Sequence, residues 1–244
     1  MFKQENENVV YGRNCVLELL KAGKRQINKV LISQTARGKA ITDIIKLAKE
    51  KGIAVYNVSP DKLDSFSDNS QGIAAYVSPI EYMDIKTLID LAKKNPKPLI
   101  VILDSIEDPH NLGAIIRNCV AFGADGVILP KWRAAGISET VAKTSAGAIE
   151  HINISRVANI NQTIDFLKEC NFWIAGVENG NKDITKSDLP FPLAIVIGSE
   201  GLGLHRLTKE KCDYLISISQ KNTISSLNAS CASAIILYEI SKNR

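Results

Sequence analysis

Three short stretches of this 244-residue chain carry side chains that could do chemistry together. The first is DPHNLGAIIRN, residues 108–118, directly after the apolar run LIVILDSI. Asp108 is a good helix N-cap and Pro109 suits the first helical position. At ~100° per residue, Leu112, Ile115, Ile116, Cys119 and Val120 form one stripe that can face a sheet. Arg117 falls roughly 130° from the middle of that stripe, on the side of His110 and Gly113, so it belongs to solvent or to a ligand rather than to a core. Gly113, lacking a side chain, leaves room beneath it for a ligand or another backbone.

The second stretch is LAIVIGSEGLGLHRL, residues 193–207, where an apolar strand runs into Gly198, Gly201 and Gly203. Glycines there permit tight turning and backbone N–H contacts with a ligand. The pattern is neither G-x-G-x-x-G nor a P-loop. Glu200, inside the turn, disfavours bound phosphate; it suits a cationic or hydrogen-bond-donating partner, or serves only as a polar turn residue. The third stretch is YLISISQKNTISSLNASCASAIILYEI, residues 214–240. A strand ends near Ile218, a polar loop follows, and Ser225 or Ser226 opens a final helix. Ser226 and Asn228 can cap that helix or face a ligand. Its small residues, Ala229 to Ala234, let another helix approach closely, within the chain or across a dimer.

The elements that must position these stretches alternate between strand and helix. LIVILDS, GVILP, HINISRV, FWIAGVE, LAIVIGS and YLISIS read as strands, separated by helices over 109–123, 138–148, 159–170, 202–212 and 226–242. Near-continuous Ile/Val/Leu strands interleaved with helices indicate a mostly parallel sheet with helices on both faces. Such sheets bind ligands beyond the carboxyl ends of their strands, where all three stretches begin. Upstream, GRNCVLELLKAG and KAITDIIKLAKEKG read as helices, and KVLIS, AVYNVS and GIAAYVS as strands. The expected division is a disordered tail over 1–8, a small α/β domain over 9–79, a proline-bounded helical linker over 80–98 and a larger α/β domain over 99–244.

Composition narrows the function. No apolar run approaches the ~20 residues that cross a bilayer, and MFKQENENVV has no signal pattern, so a cytoplasmic protein is expected. The five cysteines and three histidines are scattered, which disfavours disulfides, a zinc site and a metal enzyme. The net charge of +4 is held in residues 1–80, with 12 Lys/Arg against 8 Asp/Glu. That suits a polyanion such as RNA, or a solvated lysine-bearing surface.

In this order and at these strand ends, the three stretches resemble the motifs of the SpoU (TrmH-type) RNA 2′-O-methyltransferases. Asn111, Gly113 and Arg117 match the first motif; Gly198, Glu200, Gly201 and Gly203 the second; Ser226, Leu227 and Asn228 the third. VYGRNCVLELL and NSQGIAAYVSP further resemble the bacterial 23S rRNA guanosine 2′-O-methyltransferase subgroup, in which this part is a small ribosomal-protein-like RNA-binding domain. The resemblance implies a SPOUT-like C-terminal trefoil knot, a homodimer, large-subunit rRNA as partner, and S-adenosylmethionine as cofactor. Its contacts would come from Ile197, Gly198, Glu200, Gly201, Ile218, Gln220, Leu227 and Asn228. Arg117, Asn111, Glu200, Ser226 and Asn228 would serve catalysis. A tRNA-directed enzyme and a non-catalytic RNA-binding ribosome-assembly factor are the alternatives. One departure stands out. The family usually reads Ile-Pro-Met at the start of the third motif, with a glycine two residues on; here Ile218, Ser219, Gln220, Lys221 and Asn222 follow instead. The cofactor loop is therefore expected to be looser or differently shaped.

Overall fold

The computed structural model describes residues 8–66, 70–199, 201, 203–221 and 226–244. Its contacts divide the chain into two compact units, one formed by the chain up to Glu81 with Ile137–His151, the other by Tyr82–Gly136 with Ile152–Arg244.

In the first unit, β1 (Asn8–Tyr11), α1 (Arg13–Ala22), β2 (Ile27–Ser33), α2 (Lys39–Glu50), β3 (Ala54–Val58), α3 (Pro60–Asp64) and β4 (Ile73–Val77) follow in chain order. The strands lie in the order β1-β4-β2-β3, with only β2 and β3 parallel. β1, unforeseen from the sequence, is only four residues long and pairs antiparallel with β4. Val16, Leu19 and Leu20 of α1 and Ile41 and Ile44 of α2 are buried in one cluster with Val30, Ile32, Ile73 and Ala75 of the sheet.

The second unit begins with α4 (Ile85–Ala92), capped by Asp84, whose carboxylate accepts from the backbone of Lys86 and Thr87. The stretch expected as a linker is thus in part core: Leu88, Ile89 and Ala92 pack with Ile100 and Ile102. There follow β5 (Leu99–Asp104), α5 (Pro109–Ala121) and β6 (Gly126–Pro130). The chain next forms α6 (Glu139–Thr144) and a 3-10 turn at Ala148–His151, both of which group with the first unit. The sequence reading kept this segment with the larger domain. Local periodicity cannot reveal the reason for the difference: Cys15 Sγ lies 3.6 Å from the carbonyl of Ala142, and Arg25 pairs with Glu150 at 2.8 Å.

β7 (Ile154–Val157), α7 (Ile160–Glu169), β8 (Trp173–Asp183), β9 (Leu193–Gly198), α8 (Arg206–Lys211), β10 (Tyr214–Ser217) and α9 (Ala229–Ser241) complete the second unit. Its six strands, in the order β10-β8-β9-β5-β6-β7, are parallel throughout. Every residue of β5 is buried, as expected for a strand covered on both faces. Ile100 and Ile102 share a cluster with α4 and with Ile160, Ile164 and Leu167 of α7. α9 packs on β9 and on α5, which buries Leu112, Ile115, Ile116 and Cys119 as the helical stripe required. The order of strands reverses between β9 and β5, the point where open α/β sheets take ligands. The knotted threading implied for the C-terminal segment involves positions 200, 202 and 222–225, which lie outside the described residues.

Candidate active site

The loops after β9 and β10 and the start of α9 enclose one pocket. Ile197, Gly198, Ser199, Gly201, Ile218, Gln220, Ser226 and Leu227 line it, with Val177, Glu178 and Asn179 of β8 and Ala229 and Ala232 of α9. Six residues expected to hold a cofactor, Ile197, Gly198, Gly201, Ile218, Gln220 and Leu227, are thereby brought together. Glu200 lies outside the described residues.

Close backbone packing shapes this pocket. Ser199 and Gly203 form an isolated antiparallel bridge, the Gly203 N–H donating to the Ser199 carbonyl at 3.1 Å. A Cβ on Gly198 would stand 2.3 Å from the carbonyl carbon and oxygen of Gly203, so no other residue fits there. Glu178, unsignalled in the sequence, braces the same turn. Its carboxylate accepts from the Leu204 backbone at 3.3 Å and from Lys209 Nζ at 2.7 Å.

The loop that lacks the family's proline is tied in another way. The Ser219 N–H, which a proline would not possess, donates to Asp183 Oδ2 at 2.9 Å. Asp183 also accepts from the backbone and hydroxyl of Thr185, at 2.8 and 2.5 Å. Hydrogen bonds from Ser219 and Thr185 hold its carboxyl below the usual carboxylate range. Asp183 therefore supplies at the end of β8 some of the restraint that the missing proline would have given. Of a loop expected to be looser or differently shaped, Ser219 at least is anchored.

Asn228 joins the first and third motif stretches. Its Oδ1 caps α9, accepting from the backbone of Ser230 at 2.9 Å and of Cys231 at 3.3 Å. Its Nδ2 donates to Asn111 Oδ1 at 2.9 Å. Residues 117 positions apart are thus held in one amide pair. Beneath it, Asn118 Nδ2 donates to the Ser230 carbonyl and to Ser233 Oγ, both at 2.9 Å, so the small residues of α9 do admit another helix, namely α5.

Arg117 is exposed on α5 and lines neither this pocket nor a second recess beside it, formed by Ser105, Glu107, Asn111, Arg133, Ser199 and His205. It stands six residues beyond Asn111, a rise of about 9 Å along the helix. Gly113 is buried by the chain itself. Asp104, at the end of β5, is a further site residue that the sequence reading missed. Only 5% exposed, it accepts from Nδ1 of His205 at 3.0 Å, from the His205 backbone at 3.3 Å and from Thr208 Oγ1 at 3.1 Å. Its one sequence signal is an acid closing an otherwise apolar strand. Among the described residues no cluster of His, Cys, Asp or Glu could hold a metal, and no helix is long and apolar enough to cross a membrane.

Comparison with known proteins agrees with this geometry. The model of the SpoU rRNA Methylase family matches residues 98–238, and that of RNA 2′-O ribose methyltransferase substrate binding matches residues 9–83. A TrmH family tRNA/rRNA methyltransferase of Staphylococcus saprophyticus is 45% identical over 98% of this chain and 96% of its own. One of Bacillus subtilis is 42% identical over 98% and 97%. In fold, the chain is similar to the SpoU methyltransferase AviRb of Streptomyces viridochromogenes, at TM-score 0.80 and 23% identity over 98% of this chain and 90% of that one. The chain belongs to the SpoU rRNA methylase family.

Proposed function

We propose that this methyltransferase uses S-adenosylmethionine to methylate the ribose 2′-hydroxyl of a guanosine in 23S rRNA, acting in the cytoplasm as a homodimer. The observation that carries the reading is the amide pair of Asn111 and Asn228, which sets the first motif stretch at the edge of a pocket built from the other two. The pocket suits a nucleoside-bearing cofactor: apolar Ile197, Ile218 and Leu227 offer surface to a base, and the turn at Gly201 and Gly203 brings backbone close without side chains. An AviRb structure with AdoMet has the same fold, which supports the assignment.

Bound there, S-adenosylmethionine supplies an electrophilic methyl group. The chain must supply the rest, because a ribose hydroxyl is protonated at neutral pH and a poor nucleophile. A guanidinium cannot accept the proton. Arg117 instead stabilises the developing alkoxide and orients a neighbouring phosphate that takes the proton. Asn111, fixed by Asn228, positions the ribose, and Ser226 lines the pocket beside it. Since Arg117 lines neither the cofactor pocket nor the recess beside it, it serves the pocket of a second copy, and the apolar residues exposed on α9, Ile235 and Tyr238, offer a surface for that copy.

The family-model match at residues 9–83 supports RNA as the substrate, and the match of residues 98–238 to the SpoU rRNA Methylase family favours rRNA over tRNA. A tRNA-modifying TrmH/SpoU enzyme of A. aeolicus covers only 65% of this chain, at TM-score 0.55 and 29% identity. The test is transfer of a tritiated methyl group from S-adenosylmethionine to rRNA and tRNA from cells lacking this enzyme, with the modified nucleotide mapped. Label on a 2′-oxygen of a 23S guanosine is expected. Label only on tRNA, or cofactor binding without transfer, would overturn the reading.

A further inference from the structure

Beside the cofactor pocket, and sharing Ser199 with it, lies a second recess lined by Ser105, Glu107, Asn111, Arg133, Ser199 and His205. It opens beyond the ends of β5, β6 and β9, where the strand order reverses. We propose that this recess seats the target guanine nucleotide, with Arg133 holding its phosphate and Glu107 reading its base.

Five observations carry this. Arg133 and Glu107 bring opposite charges to one recess, yet neither has an ion pair or hydrogen bond among the described residues. The neighbouring carboxylates are committed elsewhere, Asp108 to the backbone of His110 and Asn111, Asp104 to His205 and Thr208. The backbone is held for the purpose: Ser105 and Arg133 both adopt left-handed conformations, at φ 64° and 55°, which side chains rarely take without a constraint. The Arg133 loop is also tied to the opposite wall, the Ala135 N–H donating to the Ile106 carbonyl at 2.8 Å. Beside Arg133, Trp132 is 59% exposed, with Lys131 Nζ 5.1 Å from its ring centre, so cation and aromatic surface alternate along Lys131–Trp132–Arg133. That pairing suits a phosphate with a base stacked next to it.

A ligand that answers a free guanidinium and a free carboxylate at once needs an anionic oxygen and adjacent N–H donors. A guanine nucleotide has both, since its base presents a ring N–H beside an amino group and a carboxylate accepts from the two together. Adenine offers no such pair. The recess also meets Asn111, so a nucleotide seated there brings its ribose to the amide pair and to the mouth of the cofactor pocket.

The inference rests on the proposed guanosine methylation, and one set of measurements separates the two. With S-adenosylhomocysteine saturating the cofactor pocket, saturation-transfer NMR reads binding of guanosine and adenosine 5′-monophosphates to the full chain. Wild type is expected to prefer the guanine nucleotide. Arg133→Ala should weaken both nucleotides by about tenfold or more, and Glu107→Gln should bring a preference of about tenfold close to parity, the scale of one lost bidentate contact. Both side chains are exposed, and unchanged melting midpoints would confirm folding. No guanine nucleotide binding in wild type, an Arg133→Ala affinity within twofold, or an unchanged preference in Glu107→Gln would overturn the inference even if methyl transfer is robust. A wild type that shows the expected binding but labels no guanosine would sink the methylation reading and leave the recess standing.

Discussion

The two units use buried charge differently. In the first, Arg25 and Glu150, with side chains 8% and 3% exposed, meet at 2.8 Å, and the arginine also donates to the Ser78 carbonyl. An ion pair so well buried fixes the strand end at Ser78 and the Ala148–His151 turn against one cation. In the second unit, Asp104 meets no Lys or Arg among the described residues; it gathers a histidine ring, a hydroxyl and a backbone N–H at the rim of a recess. Arg25 and Glu150 tie two segments of the first unit by opposite charge, whereas Asp104, answered by His205 and Thr208, ties the end of β5 to the start of α8.

The comparison can be broken by substitution. Glu150→Ala should have the largest effect on stability, about 3–5 kcal/mol in urea unfolding, because it strands a buried guanidinium. Cofactor affinity of the folded protein should stay within about twofold. Arg117→Ala should behave in the opposite sense: unfolding unchanged, S-adenosylmethionine affinity within a few-fold by calorimetry, and methyl transfer reduced by at least about 10²-fold. Near-normal turnover would disprove its role. Asn228→Ala should register on both scales, losing a cap worth about 1 kcal/mol and slowing transfer through Asn111.

The smallest effect is expected at Asp183. Its carboxyl is held low, so the folded chain favours the ionised form, and the stability this gives is complete above the unfolded carboxylate value. It fades only as the pH falls below about 4 toward the lowered folded value. The melting midpoints of wild type and Asp183→Asn should therefore differ at neutral pH and converge only in stronger acid. Convergence near pH 6 would assign the tie at Ser219 to another group.

The parallel sheet was legible because each strand is an unbroken Ile/Val/Leu run, and the buried face of α5 because its apolar residues recur at helical spacing. β1 was missed because NVVY is too short to show a pattern and is defined by its pairing with β4. The segment at 137–151 was assigned to the larger domain because sequence order, not contact, guided the division. Within the site, motif order brought out Asn111 and Asn228 but could not show that they bond to each other. Glu178, Asp183 and Arg133 gave no signal, since a lone charge on a strand or loop looks like any solvated surface residue. Only the fold shows that Glu178 and Arg133 stand at a pocket and that Asp183 holds Ser219.

The double duty of Asn228 has a temporal consequence. The same amide that starts α9 also holds Asn111, so in the proposed mechanism the site is complete only once that helix has docked.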